Sequence, residues 1–95
     1  MPFGTVFRMQ VKPGKKDELR RLITDRSVQI PGMLSAHFFD TAGDEAWGVA
    51  IFESEEAYRA NASSPEQHQR YLAYRALLDA DPEWHDGVVT SFAAR

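Results

Sequence analysis

The sequence predicts an α+β fold: four strands in one antiparallel sheet, with helices on one face. Three observations carry this. Hydrophobic periods of two and of 3.6 residues succeed each other in the order strand, helix, strand, strand, helix, strand. A five-residue polar link with a glycine, Thr41-Ala42-Gly43-Asp44-Glu45, joins the two middle strands and suits a hairpin. The stretch Ala46-Trp47-Gly48-Val49-Ala50-Ile51-Phe52-Glu53 reads as a strand that is apolar on both faces, where a half-buried strand would alternate.

The first strand covers residues 3–11. Phe3, Thr5, Phe7, Met9 and Val11 point one way; Gly4, Val6, Arg8 and Gln10 point the other. Lys12-Pro13-Gly14 ends it, because proline has no N–H to give a ladder. A helix follows from about Lys15 to Ser27. Leu19, Leu22 and Ile23 form its apolar stripe, which the stem of Arg26 extends. Asp17 and Arg21 have the i,i+4 spacing and order of an ion pair. Residues 12–26 hold six of the eleven basic residues against three acids, which describes either an anion-binding face or a solvated helix surface.

Pro31-Gly32 links to a second strand, Met33–Asp40, where Leu34, Ala36 and Phe38 oppose His37 and Phe39. After the third strand, Ser54 caps a short helix reaching Asn61, with Glu55 and Glu56 in its first turn. Ser64, Pro65 and Gln67 begin a second helical segment with the spacing of a capping box, and it runs to about Ala80. Tyr71, Tyr74 and Leu78 share its stripe, and Asp81-Pro82 stops it. The last strand covers residues 87–92, with a start as early as Trp84; Glu83–Asp86 reads as a turn. This is the ferredoxin-like β-α-β-β-α-β order, with the second helix broken in two.

One face of such a sheet has no helix over it. In the third strand Trp47, Val49 and Ile51 lie on one side, and Ala46, Ala50 and Phe52 on the other. So much apolar sheet implies a partner, and a second copy packed face to face would supply it.

Net charge is −3 with a pI near 5.5, which argues against a general nucleic-acid or anionic-membrane binder. No apolar run approaches the ~20 residues of a membrane span. The absence of cysteine removes disulfides, thiolate metal sites and cysteine nucleophiles together. With no secretory pattern at the N-terminus, a cytoplasmic protein is expected. Three histidines without H-x-H or H-E-x-x-H spacing make no metal site. No phosphate loop or nucleophile elbow is present.

The chain resembles the dimeric α/β-barrel superfamily, and within it the antibiotic-biosynthesis-monooxygenase-like domains. The resemblance rests on the opening strand leading into Lys12-Pro13-Gly14-Lys15-Lys16-Asp17-Glu18-Leu19, and on Ile30-Pro31-Gly32-Met33. It continues through Phe52-Glu53-Ser54-Glu55-Glu56-Ala57-Tyr58 and Ser64-Pro65. It implies one domain over residues 1–95, a homodimer, and a cavity between sheet and helices. It also implies oxygenation of an electron-rich aromatic such as a quinol or anthrone by molecular oxygen, without a cofactor. Many members have no demonstrated activity, so a non-catalytic homodimer that binds a small apolar ligand is the alternative. Two departures matter. Phe52 stands where the family often has tryptophan, and Asn61 stands where the haem-degrading branch has one, so haem degradation is not implied.

Such a pocket needs a hydrogen-bond partner or base for a phenolic or enolic proton, and aromatic walls. His37, His68 and Tyr71 are the candidates for chemistry. His37 is either a mid-strand base or a core histidine, and His68 faces either Tyr71 or solvent. Arg8, Trp47, Phe52, Asn61 and Trp84 are the candidates for substrate contact, with core packing, an edge position or a helix end as the plainer alternative.

Overall fold

The computed structural model describes residues 1–92. Its elements are β1 (Phe3–Gln10), α1 (Lys16–Ile23), β2 (Met33–Asp40), β3 (Glu45–Phe52), α2 (Glu55–Ala62), α3 (Pro65–Arg75) and β4 (Glu83–Val88). The four strands form one antiparallel sheet in the order β2-β3-β1-β4.

The register separates two faces. Phe3, Thr5, Phe7 and Met9 sit opposite Phe52, Ala50, Gly48 and Ala46, and this face lies under the helices. Leu19 of α1, Tyr74 of α3, and Leu77 and Leu78 beyond it close over Phe7, Met9, Val11 and Ala46 to make the core. On the other face Val6, Arg8 and Gln10 sit opposite Val49, Trp47 and Glu45, with His37 and Phe39 of β2 alongside. No helix covers it. Val6 is 40% exposed and Phe39 55%, so apolar surface stands open there.

The local signals act where the sequence puts them. Ser54 Oγ accepts from the Ala57 N–H at 3.1 Å and Ser64 Oγ from the Gln67 N–H at 3.0 Å, satisfying helix donors that have no intrahelical partner. Pro65 occupies the first turn of α3. Gly43 turns the hairpin with φ +68°, a conformation that side chains disfavour. Lys16 of α1 staples the same hairpin, donating to Gly43 O and pairing with Asp40, both at 2.7 Å.

Several expectations are corrected. The first helix ends at Ile23, not Ser27, because Asp25 Oδ1 accepts from both the N–H and the Oγ–H of Ser27, a local turn that competes with further helix. Arg26 therefore lies outside it, Leu22 faces solvent at 41% exposure, and Asp17 pairs with Arg20 rather than Arg21. α3 stops at Arg75 instead of Ala80. Beyond it the chain peels away to pair with the end of β1: the Lys12 N–H donates to Leu77 O, and the Asp79 N–H to Gln10 O. Gln67 does not close a capping box, since its side-chain oxygen accepts from Arg70 instead. The last strand is Glu83–Val88, so the expected turn at Glu83–Asp86 is strand. Val89 donates to Pro2 O, and the segment to Phe92 is not strand.

Two substitutions test the packing. Phe52 is 1% exposed, and Phe52→Ala is expected to cost about 3–5 kcal/mol in urea unfolding. A Cβ on Gly48 would run into the Phe7 ring, so Gly48→Ala should cost about 1–3 kcal/mol by the same measurement.

Candidate functional site

Alternation on β4 places Trp84 and Asp86 on the helix side of the sheet, opposite Phe7 and Thr5 of β1. α2 and α3 do not close fully over this edge. They leave a cleft of about 230 Å³. Tyr58 and Asn61, one turn apart on α2, form one wall. Gln67, His68, Tyr71 and Tyr74 of α3 form another, and Trp84 closes the sheet side. The volume sits just below the ~300 Å³ at which sites for drug-sized ligands begin, so it suits a small molecule.

The walls are mainly aromatic. Trp84 lies against Phe7 with ring centroids 4.6 Å apart. Tyr58 is wedged between Phe3 at 5.3 Å and Phe52 at 5.6 Å. Tyr71 and Tyr74 meet edge to face at 5.3 Å, the arrangement that ring quadrupoles favour.

The polar groups are few and directed. The Tyr58 hydroxyl donates to Asp86 Oδ1 at 3.0 Å. Burial first, and then this contact, hold the Tyr58 phenol above its ordinary range. Tyr74 is raised further, again mainly by burial and then by the neighbouring Tyr71. Arg70 donates to Asn61 Oδ1 at 3.4 Å and to Gln67 Oε1 at 3.0 Å. A guanidinium only donates, so it fixes the carbonyl end of each amide and leaves the NH2 ends for another partner.

Asn61, His68, Tyr71 and Trp84 thus come together in one cleft. Phe52 lies beneath it, touching Tyr58 from within the core. Arg8, His37 and Trp47 are on the opposite face of the sheet. Arg8 pairs there with Glu45 at 2.6 Å, a contact that, with Thr41 next in effect, lowers the Glu45 carboxyl below its usual range. His37 is exposed on β2, opposite Val49.

Tyr58 and Gln67 line the cleft, and Asp86 and Arg70 bond to its lining from outside; the sequence reading did not single these four out as candidates. The signals were available: Tyr58 is one helical turn before Asn61, and Asp86 is two strand residues after Trp84. A larger groove of about 560 Å³ runs between Gly32 and the α2–α3 junction. Its lining includes Glu53, Glu56 and Glu66 but no aromatic ring, and it shares Asn61 with the cleft. Among the described residues no cluster of three potential metal ligands occurs.

A family model described as antibiotic biosynthesis monooxygenase matches residues 2–74. Two solved structures near one-quarter identity share the fold. One is a monooxygenase from the gene ActVA-Orf6 of Streptomyces coelicolor in complex with nanaomycin D. It is 26% identical, with a TM-score of 0.82, over 98% of this chain and 91% of that one. The other is a putative antibiotic biosynthesis monooxygenase from Chloroflexus aurantiacus J-10-fl, 25% identical, with a TM-score of 0.81, over 99% and 98% of the two chains. SnoaB, a cofactor-independent oxygenase from Streptomyces nogalater, has the same fold at 17% identity and a TM-score of 0.81, over 99% and 98%. No curated protein matches.

The raised tyrosines carry a pH dependence. Unfolded phenols ionise near pH 10, whereas folded Tyr58 and Tyr74 ionise higher. Their contribution is complete below pH 10 and is lost as pH climbs from there through the folded values. Urea midpoints measured at pH 8 and pH 10.5 should fall between the two, and Tyr74→Phe should fall less than the parent.

Proposed function

We propose that this chain, which belongs to the antibiotic biosynthesis monooxygenase family, is a cofactor-independent monooxygenase acting on a small quinol- or anthrone-like aromatic in the helix-side cleft. The observation that carries the reading is the convergence of Asn61, His68, Tyr71 and Trp84 on one aromatic-walled space. Such a reaction needs a flat apolar slot, a group to accept a phenolic or enolic proton, and donors for the oxygen that gains charge. Trp84, Tyr58 and Tyr71 supply the walls. His68 is the imidazole in the cleft lining and the group suited to accept the proton. The amide N–H groups of Asn61 and Gln67 are suited to the developing oxyanion. For an anthrone the balance is a CH2 carbon plus O2 giving a ketone and water, with the substrate supplying both electrons that reduce the second oxygen atom.

The open sheet face belongs to the same proposal. Val6, Phe39, Trp47, Val49 and Ile51 form an apolar surface that a second copy of the chain would cover, giving a homodimer with one cleft in each protomer. Arg8 and His37 then lie at the pairing face and not in the cleft.

The test is oxygen consumption with a panel of hydroquinones and anthrones. Turnover of at least one compound is expected, with His68→Ala, Asn61→Ala and Tyr71→Phe each lowering kcat/KM by about tenfold or more. Ligand binding with no oxygen uptake by any compound would favour the non-catalytic binding dimer. Sedimentation at micromolar concentration should give twice the 10.8 kDa chain mass, and Val49→Asp should give the single chain. A parent protein that sediments as a single chain refutes the dimer.

A further inference from the structure

One polar contact in the cleft has a fixed direction. A phenol carries one proton and two lone pairs, whereas a carboxylate carries lone pairs only. Because the Tyr58 hydroxyl donates to Asp86 Oδ1 at 3.0 Å, its single proton is committed, and toward any ligand Tyr58 can only accept. The surroundings hold this arrangement in place. Asp86 sits opposite Thr5 in the β1–β4 register, on the helix side, beneath α2. The Tyr58 ring is gripped by Phe3 and Phe52 and cannot swing away without losing both contacts. At the Asn61 and Gln67 side of the cleft the polarity is reversed, since Arg70, which lines the neighbouring groove, takes the oxygens of both amides and leaves N–H donors.

We propose that the Tyr58–Asp86 pair makes its end of the cleft selective for a ligand hydroxyl over a carbonyl, so that the site distinguishes a hydroxyl-bearing aromatic from its quinone. A phenolic O–H donates to Tyr58 Oη. A carbonyl in the same place sets lone pair against lone pair and loses the hydrogen bond it had in water. Tyr58 touches the ligand; Asp86 acts through Tyr58 and is a positioning residue. The inference rests on the reading of the cleft as an aromatic-binding site, but it concerns recognition and not turnover.

The experiment is calorimetric titration under argon with three probes of one shape class: 1,4-dihydroxynaphthalene, 1,4-naphthoquinone and 1,4-dimethoxynaphthalene. The parent protein is expected to bind the diol about tenfold more tightly than either of the others, the discrimination that one hydrogen bond with an unpaired alternative provides. In Asp86→Asn the new amide can donate to Tyr58 Oη and turn the phenol proton toward the ligand. Its diol preference should fall below about threefold, with quinone affinity rising. Tyr58→Phe should weaken the diol about tenfold and should not weaken the quinone, whose carbonyl then no longer faces a lone pair. Thermal melts of each variant establish that it is folded. A merely structural Asp86 would not raise quinone affinity. Equal binding of diol and quinone by the parent overturns this proposal alone, as does an unchanged preference in Asp86→Asn. Failure of all three probes to bind at millimolar concentration overturns it together with the aromatic-cleft reading.

Discussion

Gly48 has no side chain because the Phe7 ring occupies the space where one would be, and much of the site follows from that contact. Phe7 lies over Gly48 of β3 and meets Trp84 with ring centroids 4.6 Å apart and ring planes tilted by 33°. Trp84 is in turn the sheet-side wall of the cleft. A packing rule of the core, large against small across a strand pair, therefore sets the position of a ring at the surface. Core and site share residues, as a 95-residue domain with a small core requires.

Most of the fold was legible because period and punctuation agreed. Ser54, Ser64-Pro65 and the glycine hairpin each mark one boundary, and the structure uses each of them. The misplaced end of α3 has a tertiary origin. Residues 76–79 continue the helical pattern of α3, but Leu77 and Leu78 bury more surface by dropping into the core, and the backbone groups freed there bond to the end of β1. A tertiary contact overrides local propensity, and a single sequence carries no sign of it. The strand at Glu83–Val88 was obscured for a different reason: its polar residues look like a turn because both faces of this edge strand remain accessible.

The site was half legible. Asn61, His68, Tyr71 and Trp84 stood out, and all four line the cleft. The residues that orient them did not stand out, since Arg70 and Asp86 resemble ordinary surface charges in sequence. Their roles depend on which group each one faces. Arg70 faces amide oxygens and Asp86 faces a phenol, and a charge beside a neutral polar group fixes where that group's hydrogens point. His37 and Arg8 show the converse. Both attract attention in an apolar strand, yet the register puts them on the face without helices.

That division between faces explains how so small a chain can accommodate two demands. A strand side chain points to one side of the sheet only, so alternate residues of β1 and β3 meet different surroundings. Even positions of β1, such as Val6 and Arg8, meet whatever covers the open face. Odd positions, such as Phe3, Thr5 and Phe7, meet helices and the floor of the cleft. The doubly apolar third strand fits this division: one of its faces lies under the helices of the chain, and the other is the open apolar face that the proposed dimer would cover. Reading it as a single hydrophobic stretch conceals this; reading it two residues at a time separates the face under the helices from the open one.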